Sequence, residues 1–296
     1  MRYRPFARTG MAVSVLSMEL NGEDDRRKPI DWRDLIHAGF EEGINAFEIV
    51  NPSPALIDGF AEGAEAVKRS LLFVALRVPA AVEGPRLAPW VEQAILRTRL
   101  EYFDILTLPA GTSRAEDLLA AGILLKEADR VWRLGVEGSG ALIDEDVDFG
   151  LFDAVFTPFN LLSGWRDRNL VRRSLEQQMG VVACDPCPAE LEALVETAEA
   201  KVKPGWFKRP KPLAGAGTYA FLNSTPNWSD EQICLAYALT EPALATVQTP
   251  PRDGKHLAEL AATTDRDLPS AVSAQIEMAR FSAEEAAREA AARRTA

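Results

Sequence analysis

Histidine and cysteine are scarce in this chain. It has two histidines and three cysteines among 296 residues. Three thiols do not make a disulfide framework, so we expect reduced cysteines. A zinc site needs four ligands, and Cys184-Asp-Pro-Cys187 with Cys234 and two scattered histidines argues against bound metal. A redox dithiol formed by Cys184 and Cys187 remains an alternative to incidental thiols at a strand end.

The chain also lacks long apolar runs and an excess of positive charge. No segment approaches 18 uninterrupted apolar residues, and no apolar run of signal-peptide length follows the N-terminus. We therefore expect a cytoplasmic protein without a membrane partner. The formal net charge of -11 repels phosphate backbones, so nucleic acid is not expected as a partner either.

What the chain does contain is a regular alternation of short apolar runs and helical patterns. Continuous apolar runs are typical of parallel strands buried on both faces. Eight strands are predicted, at residues 13–18, 44–49, 72–78, 103–108, 131–136, 154–156, 181–184 and 245–248. Eight such repeats predict an α/β fold, a (β/α)8 TIM barrel, although an open doubly wound sheet gives similar local signals.

The predicted helices lie between the predicted strands. No segment has the composition of a linker, so the sequence predicts one domain over residues 1–296. Helices are predicted at residues 31–42, 54–70, 89–100, 255–262 and 270–280. Residues 186–229 form a long loop or lid insertion after the seventh strand. A separate C-terminal helical tail is predicted at 282–296, where Ser282 and Glu285 have capping-box spacing.

Six segments in the correct order resemble the aldo-keto reductase family. They are Arg8-Thr9-Gly10 leading into Val-Ser, 43–48 (Gly-Ile-Asn-Ala-Phe-Glu), 100–106 (Leu-Glu-Tyr-Phe-Asp-Ile-Leu), 133–136 (Arg-Leu-Gly-Val), 157–162 (Thr-Pro-Phe-Asn-Leu-Leu) and 180–183 (Gly-Val-Val-Ala). The resemblance implies a barrel that binds NADP at its C-terminal mouth without a glycine-rich fingerprint, and the chain has no G-x-G-x-x-G after its first strand.

The four catalytic positions that the resemblance implies are all substituted. Glu48 stands at the Asp position, Ser53 at or next to the Tyr position, Arg77 at the Lys position and Pro109 at the His position. Glu48 and Arg77 preserve a carboxylate and a cation, so an ion pair is expected. An alkanol is a far weaker acid than a phenol, and proline has no polar side chain. We expect carbonyl reduction to be weakened about 10⁴-fold or more.

The resemblance also suggests cofactor-binding residues. Asn160 matches a residue that contacts the nicotinamide, with Ser163 nearby, although both also suit a turn after the sixth strand. Arg252 and Glu259 match residues that contact the adenosine end, and Lys255 and His256 are extra cations.

A helix that begins near Asp253 would direct free N–H groups at a phosphate. The charge of Asp253 and the two prolines before Arg252 oppose this, so phosphate binding stays open.

Residues 201–212 place five cations and the aromatic residues Trp206 and Phe207 in an otherwise acidic chain. Three interpretations stay open: a lid over an anionic ligand, a solvent-exposed proline-rich loop, and a surface for an acidic protein partner.

Three hypotheses about function follow. The first is a binding or regulatory pseudoenzyme that retains a dinucleotide or small anionic ligand at the barrel mouth. The second is an active NADP-dependent oxidoreductase whose proton donor is Tyr219, or a water held by Glu48 and Arg77. The third is a partner-binding scaffold without a small-molecule ligand, and fold similarity does not choose among them.

Overall fold

A computed structural model describes residues 1–23, 26–191, 193–195 and 219–295, with side chains described as far as residue 282. The strands are β1 (Tyr3–Pro5), β2 (Ala12–Ser14), β3 (Leu16–Asn21), β4 (Ala46–Val50), β5 (Phe73–Arg77), β6 (Ile105–Pro109), β7 (Leu134–Glu137), β8 (Ala154–Pro158), β9 (Gly180–Cys184) and β10 (Thr246–Thr249). The helices are α1 (Pro29–Glu41), α2 (Pro54–Ala64), α3 (Gly84–Thr98), α4 (Glu116–Glu127), α5 (Gly140–Phe149), α6 (Trp165–Glu176), α7 (Phe221–Ser224), α8 (Asp230–Leu239), α9 (Gly254–Thr263) and α10 (Ser270–Thr295).

Strands β3 to β10 form a closed parallel barrel. The barrel closes because β10 pairs with β3 as well as with β9, and every pairing within it is parallel. Helices connect the strands on the outside, as the apolar, two-face-buried strand sequences require. The predicted (β/α)8 TIM barrel is confirmed.

A hairpin that the sequence analysis missed closes the N-terminal end of the barrel. Strands β1 and β2 pair antiparallel, so the single strand predicted at 13–18 is wrong and the barrel strand begins only at Leu16. The hairpin places Phe6 and Val13, both fully buried, against the apolar inner surface of the barrel. The Phe6 and Phe73 ring centroids are 4.5 Å apart. A Cβ atom at Gly180 would lie 2.2 Å from the Phe6 ring, which requires glycine there.

The inside of the barrel changes from apolar to polar along its axis. Because side chains alternate across a strand, every second residue points inward. The half near the hairpin is lined by apolar side chains such as Phe73, Ile105 and Phe156. Toward the C-terminal strand ends the side chains become charged, which places Glu48 and Arg77 at the mouth of the barrel, where barrels of this type carry their active sites.

Several predicted helix boundaries are wrong. Helix α2 ends at Ala64 instead of residue 70, and α3 begins at Gly84, so Pro89 lies inside the helix. The C-terminal helix α10 runs unbroken from residue 270 to 295 instead of restarting at 282. The Ser282 hydroxyl donates to the Met278 carbonyl within that helix, so Ser282 is not an N-cap.

The insertion after β9 is described only in part. Residues 192 and 196–218 lie outside the described residues, and with them the predicted basic segment 201–212. The described remainder includes the short helix α7 and Ser229, the N-cap of α8. None of the described helices has both the length and the apolar composition that a membrane span needs.

Candidate functional site at the barrel mouth

Three side chains form a hydrogen-bonded cluster inside the barrel mouth, which we call the mouth cluster: Glu48, Arg77 and Gln248. The Arg77 guanidinium donates to Glu48 Oε2 at 2.5 Å and to Gln248 Oε1 at 3.3 Å, and Gln248 Nε2 donates to Glu48 Oε2 at 2.7 Å. Burial lowers the pKa of Arg77, but the charge of the Glu48 carboxylate and the hydrogen bond to it raise the pKa by more. The pKa of Arg77 therefore lies above its ordinary value. The expected ion pair between Glu48 and Arg77 is therefore present, and Gln248 on β10 hydrogen-bonds to both of its members.

Two further carboxylates surround Arg77. Glu19 Oε2 is 3.5 Å from one guanidinium nitrogen, and Glu137 Oε1 is 3.9 Å from the other. Burial raises the pKa of both Glu19 and Glu137, although Arg77 opposes the shift. Together with Glu48, three carboxyl groups surround one guanidinium, so acidic side chains outnumber basic ones at the mouth.

These groups line a cavity of about 320 Å³, which we call the mouth cavity. Its barrel side contains Glu19, Arg77, Glu137 and Gln248, and its other wall comes from helices α8 and α9. The volume is at the small end of the range for ligand sites, and such sites combine an apolar wall with a few convergent polar groups. The arrangement suits a small polar molecule.

Ser53 and Pro109, at two of the positions where the family resemblance implies catalytic residues, have local structural partners. Ser53 is the N-cap of α2, and its hydroxyl oxygen accepts from the Leu56 N–H at 3.2 Å. The Pro109 carbonyl accepts from the Thr112 hydroxyl at 2.6 Å, and its side chain has no donor. Neither side chain is a strong proton donor.

Asn160 and Ser163 shape the loop after β8. The Asn160 side chain donates to the Asp185 carbonyl at 3.0 Å and accepts from the Leu162 N–H at 2.9 Å. The Ser163 hydroxyl oxygen accepts from the Asn160 N–H at 2.9 Å. Because the Asn160 amide already has partners on both sides, a nicotinamide would have to displace them or share them.

The predicted adenosine-end residues carry their own partners. Arg252 pairs with Glu231 through two hydrogen bonds of 2.7 and 3.1 Å. Lys255 and Glu259 are exposed and 3.9 Å apart. The N-terminus of α9 is capped by the carboxylate of Asp253, which accepts from the His256 N–H at 2.8 Å, and this bond lowers the pKa of Asp253.

His256, expected as an extra cation after the eighth strand, lines the mouth cavity. Its Nδ1 accepts from the Arg252 N–H at 3.1 Å, so the neutral ring carries its proton on Nε2, which is 2.9 Å from Glu231. Although burial raises the pKa of Glu231, its hydrogen bonds to Arg252 and His256 outweigh that effect, and the net shift is downward. Both imidazole nitrogens are therefore engaged within the wall of the cavity.

The tyrosines near this end of the barrel pack in apolar surroundings. Tyr219 is 7% exposed, packs against Phe221 with ring centroids 6.1 Å apart, and is not part of the cavity wall. Burial raises the pKa of Tyr219, which makes it a weaker acid. The Tyr237 hydroxyl accepts from Arg168. No described tyrosine therefore lines the mouth cavity.

Cys184 faces into the barrel and is not exposed at a strand end. Its thiol donates to Gln248 Oε1 at 3.2 Å, and burial raises its pKa well above the ordinary value. Among the described residues, no group of three or more histidine, cysteine or carboxylate side chains is arranged to hold a metal ion.

The raised pKa values of Glu19 and Glu137 predict a pH-dependent stability. A carboxyl whose folded pKa lies above its unfolded value binds its proton more tightly when folded, so its contribution falls as the pH rises through the folded pKa. We expect Glu137→Gln to raise the free energy of unfolding at pH 7.5 by about 0.5 kcal/mol, because a third of this side chain is exposed and screened. Urea denaturation should show the gain shrinking toward pH 4, and a gain that grows in acid would contradict the assignment.

Sequence reasoning missed Glu19, Glu137 and Gln248. A signal for all three was present, because each is a polar residue in the second half of a barrel strand, and barrels of this type carry their active sites at the C-terminal strand ends. His256 was expected only as an extra cation beside Lys255, and its contact with Glu231 depends on how α8 and α9 pack. No protein-family model matches this chain, and the search of curated proteins found no match to it.

Proposed function

We propose that this chain is an aldo-keto-reductase-like binding protein that holds a small polar molecule in the mouth cavity and does not carry out ordinary carbonyl reduction. The observation that carries the proposal is the mouth cluster. At the Asp and Lys positions that the family resemblance implies, Glu48 and Arg77 are hydrogen-bonded to each other and to Gln248. The charge pair is therefore kept, but the cluster contains neither the phenol nor the imidazole that would donate a proton to a reduced carbonyl.

The surroundings of the cluster support the loss of reduction. A reduced carbonyl needs a proton donor beside its developing alkoxide. In the part of the chain that the structure describes, no phenol lines the mouth cavity, and the imidazole of His256 is engaged by Arg252 and Glu231. Neither nitrogen of that ring is free to donate into the cavity without breaking an existing bond.

The charge distribution supports a ligand that is neutral or cationic. Glu19, Glu48 and Glu137 outnumber Arg77 at the mouth, and Arg252 is already neutralised by Glu231. Hydroxyl and ammonium groups donate to carboxylates, whereas a pyrophosphate would be repelled. Binding of NADP or another anionic ligand remains a prediction, and these charges disfavour it. Binding of a protein partner at 201–212 also remains a prediction, because that segment lies outside the described residues.

A second candidate function is favoured by one specific observation. The pKa of Glu19 and of Glu137 is raised by burial, so either carboxyl holds its proton at a higher pH than an ordinary glutamate. A protonated carboxyl is able to replace a phenol as general acid. This would make the chain an NADP-dependent oxidoreductase with a carboxylic acid as proton donor.

Thermal unfolding separates these functions. We expect small polyols or diamines, added singly to the purified chain, to raise the melting temperature, because a ligand that binds only the folded state stabilises it by mass action. For the best of them the rise should be about 5 °C or more at a hundred times Kd. No consumption of NADPH above background is expected with a panel of aldehydes.

The double variant Glu19→Gln with Glu137→Gln should weaken the stabilisation by a cationic ligand at least tenfold in apparent Kd, since each lost carboxylate removes a charge-assisted hydrogen bond. Glu277→Gln is the matched control, because this exposed carboxylate on α10 pairs with Arg280, its one partner in the part of the chain that the structure describes. Aldehyde-dependent NADPH consumption that the double variant abolishes would establish the second candidate. Absence of stabilisation by every small molecule would favour a scaffold without a ligand.

A further inference from the structure

Three residues hold one wall of the mouth cavity together, and we call them the entrance latch: Glu231, Arg252 and His256. Glu231 on α8 accepts two hydrogen bonds from the Arg252 guanidinium, of 2.7 and 3.1 Å, and lies 2.9 Å from His256 Nε2. His256 Nδ1 accepts from the Arg252 backbone N–H at 3.1 Å. The latch therefore ties the connection between β10 and α9 to helix α8, and both Glu231 and His256 line the cavity.

We propose that the entrance latch is a pH-sensitive switch of the mouth cavity, closed while the His256 ring is neutral and opened when the ring takes up a second proton. A backbone N–H is only a donor, so His256 Nδ1 accepts from Arg252 only while Nδ1 carries no proton. Protonation would direct two N–H groups at each other across the 3.1 Å between these nitrogens. This bond must therefore break when the ring becomes charged.

The charge of the protonated ring would also disturb the contacts of Glu231. Its Oε2 atom accepts from Arg252 and lies beside His256 Nε2, so an imidazolium would place two cations on one carboxylate. Although burial raises the pKa of Glu231, its hydrogen bonds to Arg252 and His256 lower it by more, so Glu231 stays ionised where imidazoles titrate. Glu231 therefore remains bonded to the charged ring, and its bonds to Arg252 weaken.

The other charged groups near His256 do not remove this conflict. Asp253 already accepts from the His256 backbone N–H as the helix cap, and Arg27 adds a cation by donating to two carbonyls of the loop before α9. Helix α1 contacts α9 through the apolar Ala38. The rest of the cavity wall contributes four charged groups: Glu19, Arg77, Glu137 and Asp185. In the described part of the chain, none of these side chains bonds to His256 Nδ1.

Opening of the latch would change the cavity itself. The connection at residues 250–253 contributes Pro250 to the cavity wall, and Arg252 anchors that connection to α8. Without the anchor, this wall moves away from α8 more easily. We therefore expect a bound ligand to be released as the imidazole becomes charged. This last step rests on the proposed binding function, whereas opening of the latch does not.

Nitrogen-15 NMR of the imidazoles tests the latch directly, because the chain has only two histidines. The labelled full chain is titrated from pH 8 to pH 5, the range in which imidazoles change charge. At pH 8 we expect His256 to carry its proton on Nε2 alone. The hydrogen-exchange protection factor of the Arg252 amide should then fall by about tenfold or more, with the same midpoint as protonation of His256.

Two variants separate the latch from other effects of acid. His256→Gln keeps a donor and an acceptor but stays uncharged, so Arg252 protection should no longer depend on pH in this range. A melting curve shows whether this variant folds. His37→Gln is the matched control, because His37 is exposed on α1, and it should leave the response unchanged. The proposal would be overturned by a His256 ring protonated on Nδ1 at pH 8, by Arg252 protection that ignores protonation, or by an unchanged response in His256→Gln.

A ligand arm distinguishes the latch from the proposed binding function. With 1,4-diaminobutane as the probe, the apparent Kd from thermal unfolding should rise about fivefold or more between pH 8 and pH 5.5 in the unmodified chain. The rise should be smaller in His256→Gln, which retains only the titration of the cavity carboxyls. An equal rise in both chains would contradict control of the cavity by the latch. No stabilisation at any pH, together with an NMR-detected opening, would remove the binding function and leave the latch established.

Discussion

Arg77→Met is expected to lower the free energy of unfolding by about 3–5 kcal/mol, because it leaves a buried carboxylate without its cation. The Glu48 side chain is 1% exposed, and among the described residues only Gln248 still donates to it after the substitution. Methionine keeps most of the aliphatic volume of arginine, so the effect reports the lost charge and hydrogen bonds rather than a large cavity. Urea denaturation with comparison of m-values measures it.

The double variant Glu48→Gln with Arg77→Met separates the cost of the unpaired Glu48 charge from the other effects of replacing Arg77. It should recover at least half of the lost stability, since it removes the uncompensated carboxylate together with its partner. Arg130→Met is the matched control: the Arg130–Glu92 pair is about half exposed on both sides, so its loss should cost less than about 1 kcal/mol. Equal costs for Arg77→Met and Arg130→Met would mean that the mouth cluster does not stabilise the fold.

Phe6→Ala is expected to cost about 3–5 kcal/mol, although this residue lies in the six-residue connection of a short hairpin. Its ring is fully buried between Phe73 and Gly180, so truncation opens a cavity at the closed end of the barrel. Thermal and urea unfolding should agree on the loss.

Phe281→Ala is the control for Phe6→Ala, because that ring is 65% exposed on α10 and should change stability by less than about 0.5 kcal/mol. A small cost for Phe6→Ala would show that the hairpin is dispensable and that the barrel closes without it.

The barrel was predictable from sequence, because most strands from β3 to β10 are short, mainly apolar runs, and parallel strands buried on both faces leave that pattern. The hairpin was not, since residues 12–18 form one apolar stretch, and only pairing with 3–5 divides it. Long-range pairing of this kind leaves no local signal. The break predicted at Ser282 failed for a related reason: capping-box spacing also occurs inside helices.

The candidate site was predictable only at its strand positions. Glu48 and Arg77 were found through the family resemblance, and the structure brings them together. The start of a helix near Asp253 was predicted and is confirmed. That the Asp253 carboxylate caps this helix and that Glu231 pairs with Arg252 were not foreseen, because carboxylates with these two roles look alike in sequence. Which cations stay available for an anionic ligand depends on such pairings, and they arise only from packing.

The central claim, that the mouth cavity binds without transferring hydride, is tested most directly with NADPH deuterated at C4 of the nicotinamide. The purified chain is incubated with this cofactor and an excess of a reactive aldehyde, and the alcohol is analysed by mass spectrometry. We predict no deuterated alcohol above a protein-free control. Repeated turnover to deuterated alcohol, lost in the Arg77→Met variant under conditions where that variant is folded, would contradict the claim.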